Sequence, residues 1–258
     1  MKKLMSFNSA RAIYHLAVMM LGFLSFNCFA QDNMTVVFDS FHRKIDNPNA
    51  PSLYQFFNEE VFGPEDQKAL QTTLVDHLSE IEGKTLAGKK GLVIFSPNQS
   101  YKASEKKAIV DFIESGGSLL LIFDEERRTP LKETGINEVI SPFGIKLTDD
   151  APVRHNCGAL VVNWDVCSQA WELPYSGGRS VQGGKVISRV YDRGDYVHSA
   201  FVETSRGGKI IVMADGMTGL LMGAEDGIRF SGTGPMDSKY WGKHSREFMG
   251  EILKFWLN

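Results

Sequence analysis

The 258-residue chain carries 28 Lys+Arg against 31 Asp+Glu, a formal net charge of −3. That balance offers no basic face for a polyanion, and the pairs Lys89-Lys90, Lys106-Lys107 and Arg127-Arg128 are scattered among acids, so nucleic acid is excluded as a partner. An apolar share of 43% over this length suffices for one large domain or two small ones, each with a proper core.

The first 30 residues have the three parts of a secretory signal: Lys2, Lys3 and Arg11, then the apolar run Ala12 to Leu24, then the small residue Ala30. No acid precedes Asp32, and the run falls short of the roughly 20 residues that span a bilayer. The expectation is therefore a signal peptide cleaved after Ala30, followed by a domain over 31–258. Lipidation of Cys28 and an uncleaved anchor are the alternatives, although Ser25-Phe26-Asn27 lacks the small pair that precedes a lipidated cysteine. Cleavage leaves 25 Lys+Arg against 31 Asp+Glu, a net charge near −6, and implies a periplasmic or secreted address with no stable membrane insertion. In an oxidising compartment Cys157 and Cys167 form either a disulfide, stabilising by roughly 2 to 3 kcal/mol, or two ordinary buried thiols. His155 beside them is too little for a zinc site.

Met34 to Phe38 predicts a buried first strand ending at Asp39, and the loop to Pro51 is polar. Leu53 to Phe62 has helical spacing. Pro64 to Ile81 has it again, with Leu70, Leu74, Leu78 and Ile81 on one face and His77 beside them. Gly91 to Phe95 predicts a second strand, Ser104 an N-cap for a helix over Glu105 to Glu114 that stops at Gly116-Gly117, and Ser118 to Phe123 a strand covered on both faces. A weaker helix over Leu131 to Ile140 leads to an extended segment at Phe143 to Leu147. The stretch from Asp149 to Gly184 is Gly-rich and irregular, with strands expected at Ala159 to Val162 and near Trp171. Strands follow at Val186–Tyr191, Val197–Glu203 and Lys209–Ala214, and a last helix at about Ser238 to Leu257. The alternation predicts an α/β fold, a doubly wound, mainly parallel, flavodoxin-like sheet with an irregular β-rich insertion at about 149–184.

The order Gly91-Leu-Val-Ile-Phe-Ser-Pro97, then Ser104-Glu105, then Ile113-Glu-Ser-Gly-Gly-Ser-Leu-Leu-Leu-Ile-Phe-Asp124, then Ile140-Ser-Pro-Phe-Gly-Ile145 resembles the class I glutamine-amidotransferase-like superfamily. More narrowly it is similar to a secreted and membrane-associated branch that includes gliding-motility and intraflagellar-transport-type domains and trehalose-utilisation-like proteins. Gly207-Gly-Lys-Ile-Ile-Val-Met-Ala-Asp215 and the ending Phe255-Trp256-Leu257 fit as well. The resemblance implies a nucleophilic Cys just after the strand Leu119 to Phe123. Asp124-Glu125 stands there instead, which excludes amidotransferase chemistry.

Ligands of open α/β sheets bind outside the carboxyl ends of the strands. That rule gathers Asp39 with His42 and Arg43, Asn98 with Gln99, Asp124 with Glu125, and Asp215. The expected function is an exported carbohydrate-processing enzyme, a carbon-oxygen lyase or dehydratase that eliminates across C4-C5 of a uronic acid in an oligosaccharide. His42, Asp39, His198, His244 and Tyr240 are the candidate acid and base groups, and Arg43, Asn98, Asp124, Trp164, Trp241 and Asp215 the candidate substrate contacts. No cofactor is required, although a divalent metal held by Asp39, His42 and Asp124 is an option. The alternative is a non-catalytic periplasmic module of the same fold, for ligand binding or assembly.

Overall fold

Continuous apolar runs at Val36–Phe38, Leu92–Phe95 and Leu119–Phe123 leave no polar face to turn toward water, so they belong inside a sheet covered on both sides. The computed structural model describes residues 33–44, 52–151, 155–156, 158–191, 194–216 and 244–258. In it these runs form β1 (Met34–Asp39), β3 (Gly91–Phe95) and β4 (Ser118–Ile122). With β2 (Thr72–His77) and β13 (Lys209–Met213) they lie parallel in the order β2-β1-β3-β4-β13. Four further strands extend the sheet in antiparallel fashion: β12 (Val197–Glu203), β11 (Lys185–Val190), β7 (Ala159–Val161) and β8 (Glu172–Leu173). The nine-stranded sheet is thus mixed, not mainly parallel, because hairpin-length connections such as Thr204–Gly208 can join only antiparallel neighbours. Within the expected insertion, β5 (Ile145–Leu147) pairs with β10 (Val181–Gly183), and β6 (His155–Asn156) with β9 (Ser176–Gly177).

Helices cover both faces. On one, α7 (Ser245–Leu257) buries Phe248, Met249, Ile252, Leu253 and Trp256 against Val36, Val93, Leu120 and Ile211, with α1 (Leu53–Phe56) and the π-helical turn Phe57–Val61 alongside. On the other, α4 (Ala103–Glu114) and α6 (Ile136–Ile140) pack Ile109, Phe112, Ile113 and Val139 on Val37, Leu92, Ile94 and Leu121. Burying side chains of this size contributes about 1.5 to 3 kcal/mol apiece. Gly91 is required for that fit, since a Cβ there would sit 2.7 Å from the Trp256 ring. Short helices α2 (Pro64–Ala69), α3 (Gly83–Leu86) and α5 (Leu131–Thr134) complete the connections.

The expected helix over Pro64 to Ile81 is corrected. Helix α2 stops at Ala69, Gln71 adopts φ 48°, and the chain re-emerges as β2. A leucine every fourth residue satisfies a period of two as well as one of 3.6, and the β-branched Thr72-Thr73 and Val75 decide for the strand. Leu78 ends 72% exposed, where a helical face would have buried it. Strand β2 is an edge. Its Leu74 N–H donates to Gln67 Oε1 (3.1 Å) and its Leu74 carbonyl accepts from the Tyr54 hydroxyl (3.3 Å), so side chains occupy the bonds a further strand would need. At the opposite edge, the Glu172 N–H of β8 donates to His244 Nδ1 at 3.3 Å. Helix α4 begins at Ala103 with Glu105 accepting from the Lys102 N–H (2.9 Å), so Ser104 lies inside the helix and is not its cap. The terminal helix begins, within the described residues, at Ser245. The segment 1–32, which holds the expected signal, lies outside the described residues, as do 217–243.

Candidate functional site

The chain leaves β1 for β2 on one side and returns to β3 on the other, so a crevice opens beyond Asp39 and Phe95, where such sheets bind ligands. Asp39 closes a tight turn by accepting from the His42 N–H (3.3 Å), and this brings the His42 ring back over its carboxylate, with Nδ1 at 2.9 and 3.1 Å from the two oxygens. The other ring nitrogen, Nε2, is 3.2 Å from Glu105 Oε1 in the first turn of α4, where the helix dipole favours a carboxylate. Glu105 also accepts from the N–H groups of Ile81 (2.8 Å) and Lys102 (2.9 Å). Tyr101 donates its hydroxyl to Asp39 (2.6 Å) and stacks on His42 at 3.8 Å between ring centroids.

An imidazolium between two carboxylates satisfies both of its N–H groups. Burial opposes the charge on His42, but Asp39 and then Glu105 outweigh it and raise its pKa. Burial, then Asp39, pushes the Tyr101 phenol well above its ordinary value. Asp39, His42, Glu105 and Tyr101 are between 1% and 3% exposed. Both nitrogens of His42, a residue expected to act as acid or base with Asp39, are engaged in a buried polar knot that ties β1, the loop before α3 and the start of α4. Glu105 and Tyr101 escaped sequence reasoning. An acid in a first helical turn reads as a cap, and its contact with His42 is visible only in three dimensions.

Neighbouring polar groups are spent in the same way. Arg43 Nη1 donates to the carbonyls of Ser96 (2.8 Å) and Arg128 (3.2 Å), holding Ser96 in a left-handed conformation at φ 45°. Asn98 exchanges two 2.9 Å bonds with the Lys44 backbone and gives its N–H to the His42 carbonyl. Arg43 and Asn98, expected as substrate contacts, thus serve here as loop-to-loop ties. Asp124 is buried, accepts from the Glu125 N–H (2.8 Å) and lies 3.3 Å from Arg128 Nη1; burial raises its pKa. A Cβ on Gly216 would meet its carboxylate carbon at 2.7 Å. Asp215, next to Gly216, is also buried. Among the described residues no group of three His, Cys, Asp or Glu side chains is placed to hold a metal ion, so the divalent cation considered for Asp39, His42 and Asp124 has no such cluster.

The remaining candidates are dispersed. His198 on β12 is fully buried, bonded through Nδ1 to Ser188 Oγ (2.7 Å), and burial lowers its pKa to about 3. Burial thus keeps this imidazole in its neutral form near neutrality. His244 caps α7 against Trp171 and the β8 edge, and Trp164 stands 65% exposed on the far half of the sheet. Cys167 is a free thiol, raised to about 12 by burial and by Glu251, with which it hydrogen-bonds. The disulfide is not formed at Cys167; Cys157, Tyr240 and Trp241 lie outside the described residues. A buried arginine was not anticipated. Arg179 donates to the carbonyls of Asp124 (3.1 Å) and Thr148 (2.8 Å) and to Glu126 (2.9 Å), and lies 5.4 Å from the centre of the Phe123 ring.

Residues 57–157 match the family model of the IFT52 GIFT domain. This stretch runs from the π-helical turn through β4 and into the β-rich segment, and it includes Tyr101 and Glu105 of the knot. The intraflagellar transport protein 52 homolog of Mus musculus is 27% identical over 110 residues, 40% of this chain and 26% of that protein, so the chain spans about a quarter of its length. The solved N-terminal domain of mmIFT52 aligns over 85% of this chain and 94% of its own at 18% identity, with a TM-score of 0.57, and shares the fold. A ThuA-like protein from Bacteroides uniformis aligns over 70% and 80% at 12% identity, with a TM-score of 0.41.

These matches overturn the expected function. The matched family and relative are named for intraflagellar transport, not for carbohydrate chemistry, so the uronate lyase or dehydratase, its oligosaccharide partner and the periplasmic or secreted address are all withdrawn. The periplasmic ligand-binding or assembly module finds no support in them either. No helix of the described residues is long and apolar enough to cross a membrane.

Proposed function

We propose that this chain is an IFT52-like domain that works without catalysis, as a protein-contacting component of a transport-type complex. The observation that carries the reading is the closure of the switch-point crevice. Asp39, His42, Glu105 and Tyr101 are buried and mutually bonded, and Arg43 and Asn98 are spent on backbone, so the place where this architecture does chemistry is occupied by its own side chains. The match to the IFT52 GIFT model over residues 57–157, which include Asn98, Tyr101 and Glu105, supports it. We read the parallel half as a doubly wound, glutamine-amidotransferase-like scaffold in which Asp124 holds the nucleophile's position, within a single domain over 31–258.

The test is the state of the full chain in native extract. Size-exclusion chromatography of an epitope-tagged copy expressed at its normal level should place it in an assembly well above its own 28.8 kDa. Elution at the monomer mass alone, together with turnover of any uronic-acid oligosaccharide by the purified protein, would remove the reading.

A further inference from the structure

Residues 40–44 form a short strap across the exits of β1 and β3, tied to other parts of the chain along its length. The Ser40 hydroxyl donates to Asp76 on β2. The His42 carbonyl accepts from the N–H groups of Asn98 (2.8 Å) and Gln99 (3.1 Å) beyond β3, and Arg43 reaches the carbonyls of Ser96 and Arg128. The donors in these ties, a hydroxyl, two amides and a guanidinium, keep their protons throughout the range in which proteins stay folded. The last tie runs from the His42 ring to Glu105 in α4, and it uses a proton of the kind that leaves near neutrality.

A neutral imidazole carries one N–H, whereas both ring nitrogens of His42 face carboxylates, Nδ1 at 2.9 and 3.1 Å from Asp39 and Nε2 at 3.2 Å from Glu105. Removing one proton sets a bare lone pair against a carboxylate where all three groups are buried. Asp39 meets Nδ1 with both oxygens and also holds the His42 N–H, so the proton that stays is the one on Nδ1. Nε2 is then left facing Glu105, which the N–H groups of Ile81 (2.8 Å) and Lys102 (2.9 Å) hold in place. The other ionisable groups around the ring are engaged with partners of their own. Tyr101, stacked on it, donates to Asp39, the Lys102 ammonium pairs with Glu80, and His77 on β2 turns its ring to the Glu80 carbonyl. Arg128 pairs with Asp124 and Glu125, and Lys44 is exposed. The strap itself lies at the surface, with Phe41 at its turn 40% exposed.

We infer that residues 40–44 are a proton-locked strap, held across the crevice while the His42 ring carries protons on both nitrogens and lifted from α4 when the Nε2 proton leaves. The Nε2–H bond breaks, its electron pair stays on the nitrogen, and the proton passes to solvent as the strap opens. Opening returns the exits of β1 and β3, with Asp39 and Tyr101, to water. Because the closed ring holds its second proton more tightly than an exposed imidazole does, the strap is locked at neutral and acidic pH and released toward alkaline pH. This goes beyond the protein-contact reading, which requires only that the crevice be closed near neutrality.

Amide hydrogen exchange of the full chain from about pH 5.5 to 9 tests it, read at the Asn98 and Gln99 N–H groups that the strap holds and corrected for the intrinsic rate, with the His42 ring followed by nitrogen NMR. Protection of these two amides should be constant below about pH 6.5 and fall by up to about tenfold per pH unit above it. It should level off where the ring itself finishes titrating. At every pH it should stay below the protection of amides within β3 and β4. Glu105→Gln keeps an acceptor for the Ile81 N–H but removes the charge, so the ring should titrate at lower pH and the levelling-off should move down with it. If that variant does not fold, the wild-type series decides alone. Protection that does not change with pH, or that changes without following the ring, would overturn the proposal. So would a ring that keeps both protons to pH 9, or exchange at Asn98 and Gln99 no faster than in β3 and β4, which would mean that the strap opens only when the whole domain unfolds.

Discussion

His42 and His198 are both buried, and they respond to pH in opposite directions. Between two carboxylates, His42 titrates above 6.5 when folded, so it contributes stability that is complete below about pH 6.5 and lost as pH rises through its folded value. His198 meets the Ser188 hydroxyl and the edge of the Tyr175 ring, and burial dominates its titration. Its folded value is near 3, so its contribution is complete above about pH 6.5 and is lost as pH falls toward 3. Each unit of separation weighs about 1.4 kcal/mol. Urea titrations from pH 4 to 9 should therefore show His198→Asn flattening the acid limb and His42→Gln flattening the alkaline one. At pH 6, His42→Gln should also cost about 3 kcal/mol or more, because it strips a buried cation from two carboxylates. A change of less than about 1 kcal/mol would mean that water reaches the pair. Asp39 and His42 were legible as a pair from their spacing alone. What they do was not, because Glu105 and Tyr101, in a different element far along the chain, decide it.

Among the elements, the three central parallel strands were legible because a strand covered on both faces has no choice of residue, whereas β2 was not, since its leucine spacing fits two periodicities. The same strand shows how an exposed edge is managed. Gln67 spends its whole side-chain amide there, accepting from Leu74 and donating to Asn58 (2.9 Å) and the Phe62 carbonyl (2.7 Å), while Tyr54 covers the Leu74 carbonyl. Removing both plugs, with Gln67→Ala and Tyr54→Phe, frees a donor and an acceptor beside exposed Val75. Sedimentation velocity should then reveal concentration-dependent dimers or larger species that the parent lacks, and adding Thr73→Lys should suppress them. If the double variant stays monomeric at high concentration, some other element shields the edge.

At the scale of the whole molecule, Arg179 joins the two halves of the architecture. It reaches from the β-rich segment to the end of β4, to Thr148 just beyond β5 and to Glu126, and Tyr175 donates to its carbonyl (2.7 Å). Nothing in a Gly-rich stretch announces a fully buried guanidinium, and this is why the segment 149–184 reads as irregular in sequence yet is fastened in the fold. Arg179→Met keeps much of the volume but leaves Glu126 and two carbonyls without that donor and Asp150 without its ion pair to the guanidinium (3.3 Å). It should lower stability by about 3 to 5 kcal/mol. Hydrogen exchange should rise around β5, β9 and β10 before it rises in β3 or β4. Uniform loss of protection across the sheet would instead make Arg179 part of one indivisible core.

The close approach of Gly216 to Asp124 also sets how far apart two strand ends may stand. A Cβ at position 216 would lie 2.7 Å from the Asp124 carboxylate carbon, so any other residue there would wedge the exits of β4 and β13 apart. The spacing of that neighbouring pair is thus gauged by a missing methyl group, and the first atom added at position 216 would be felt at the ends of both strands.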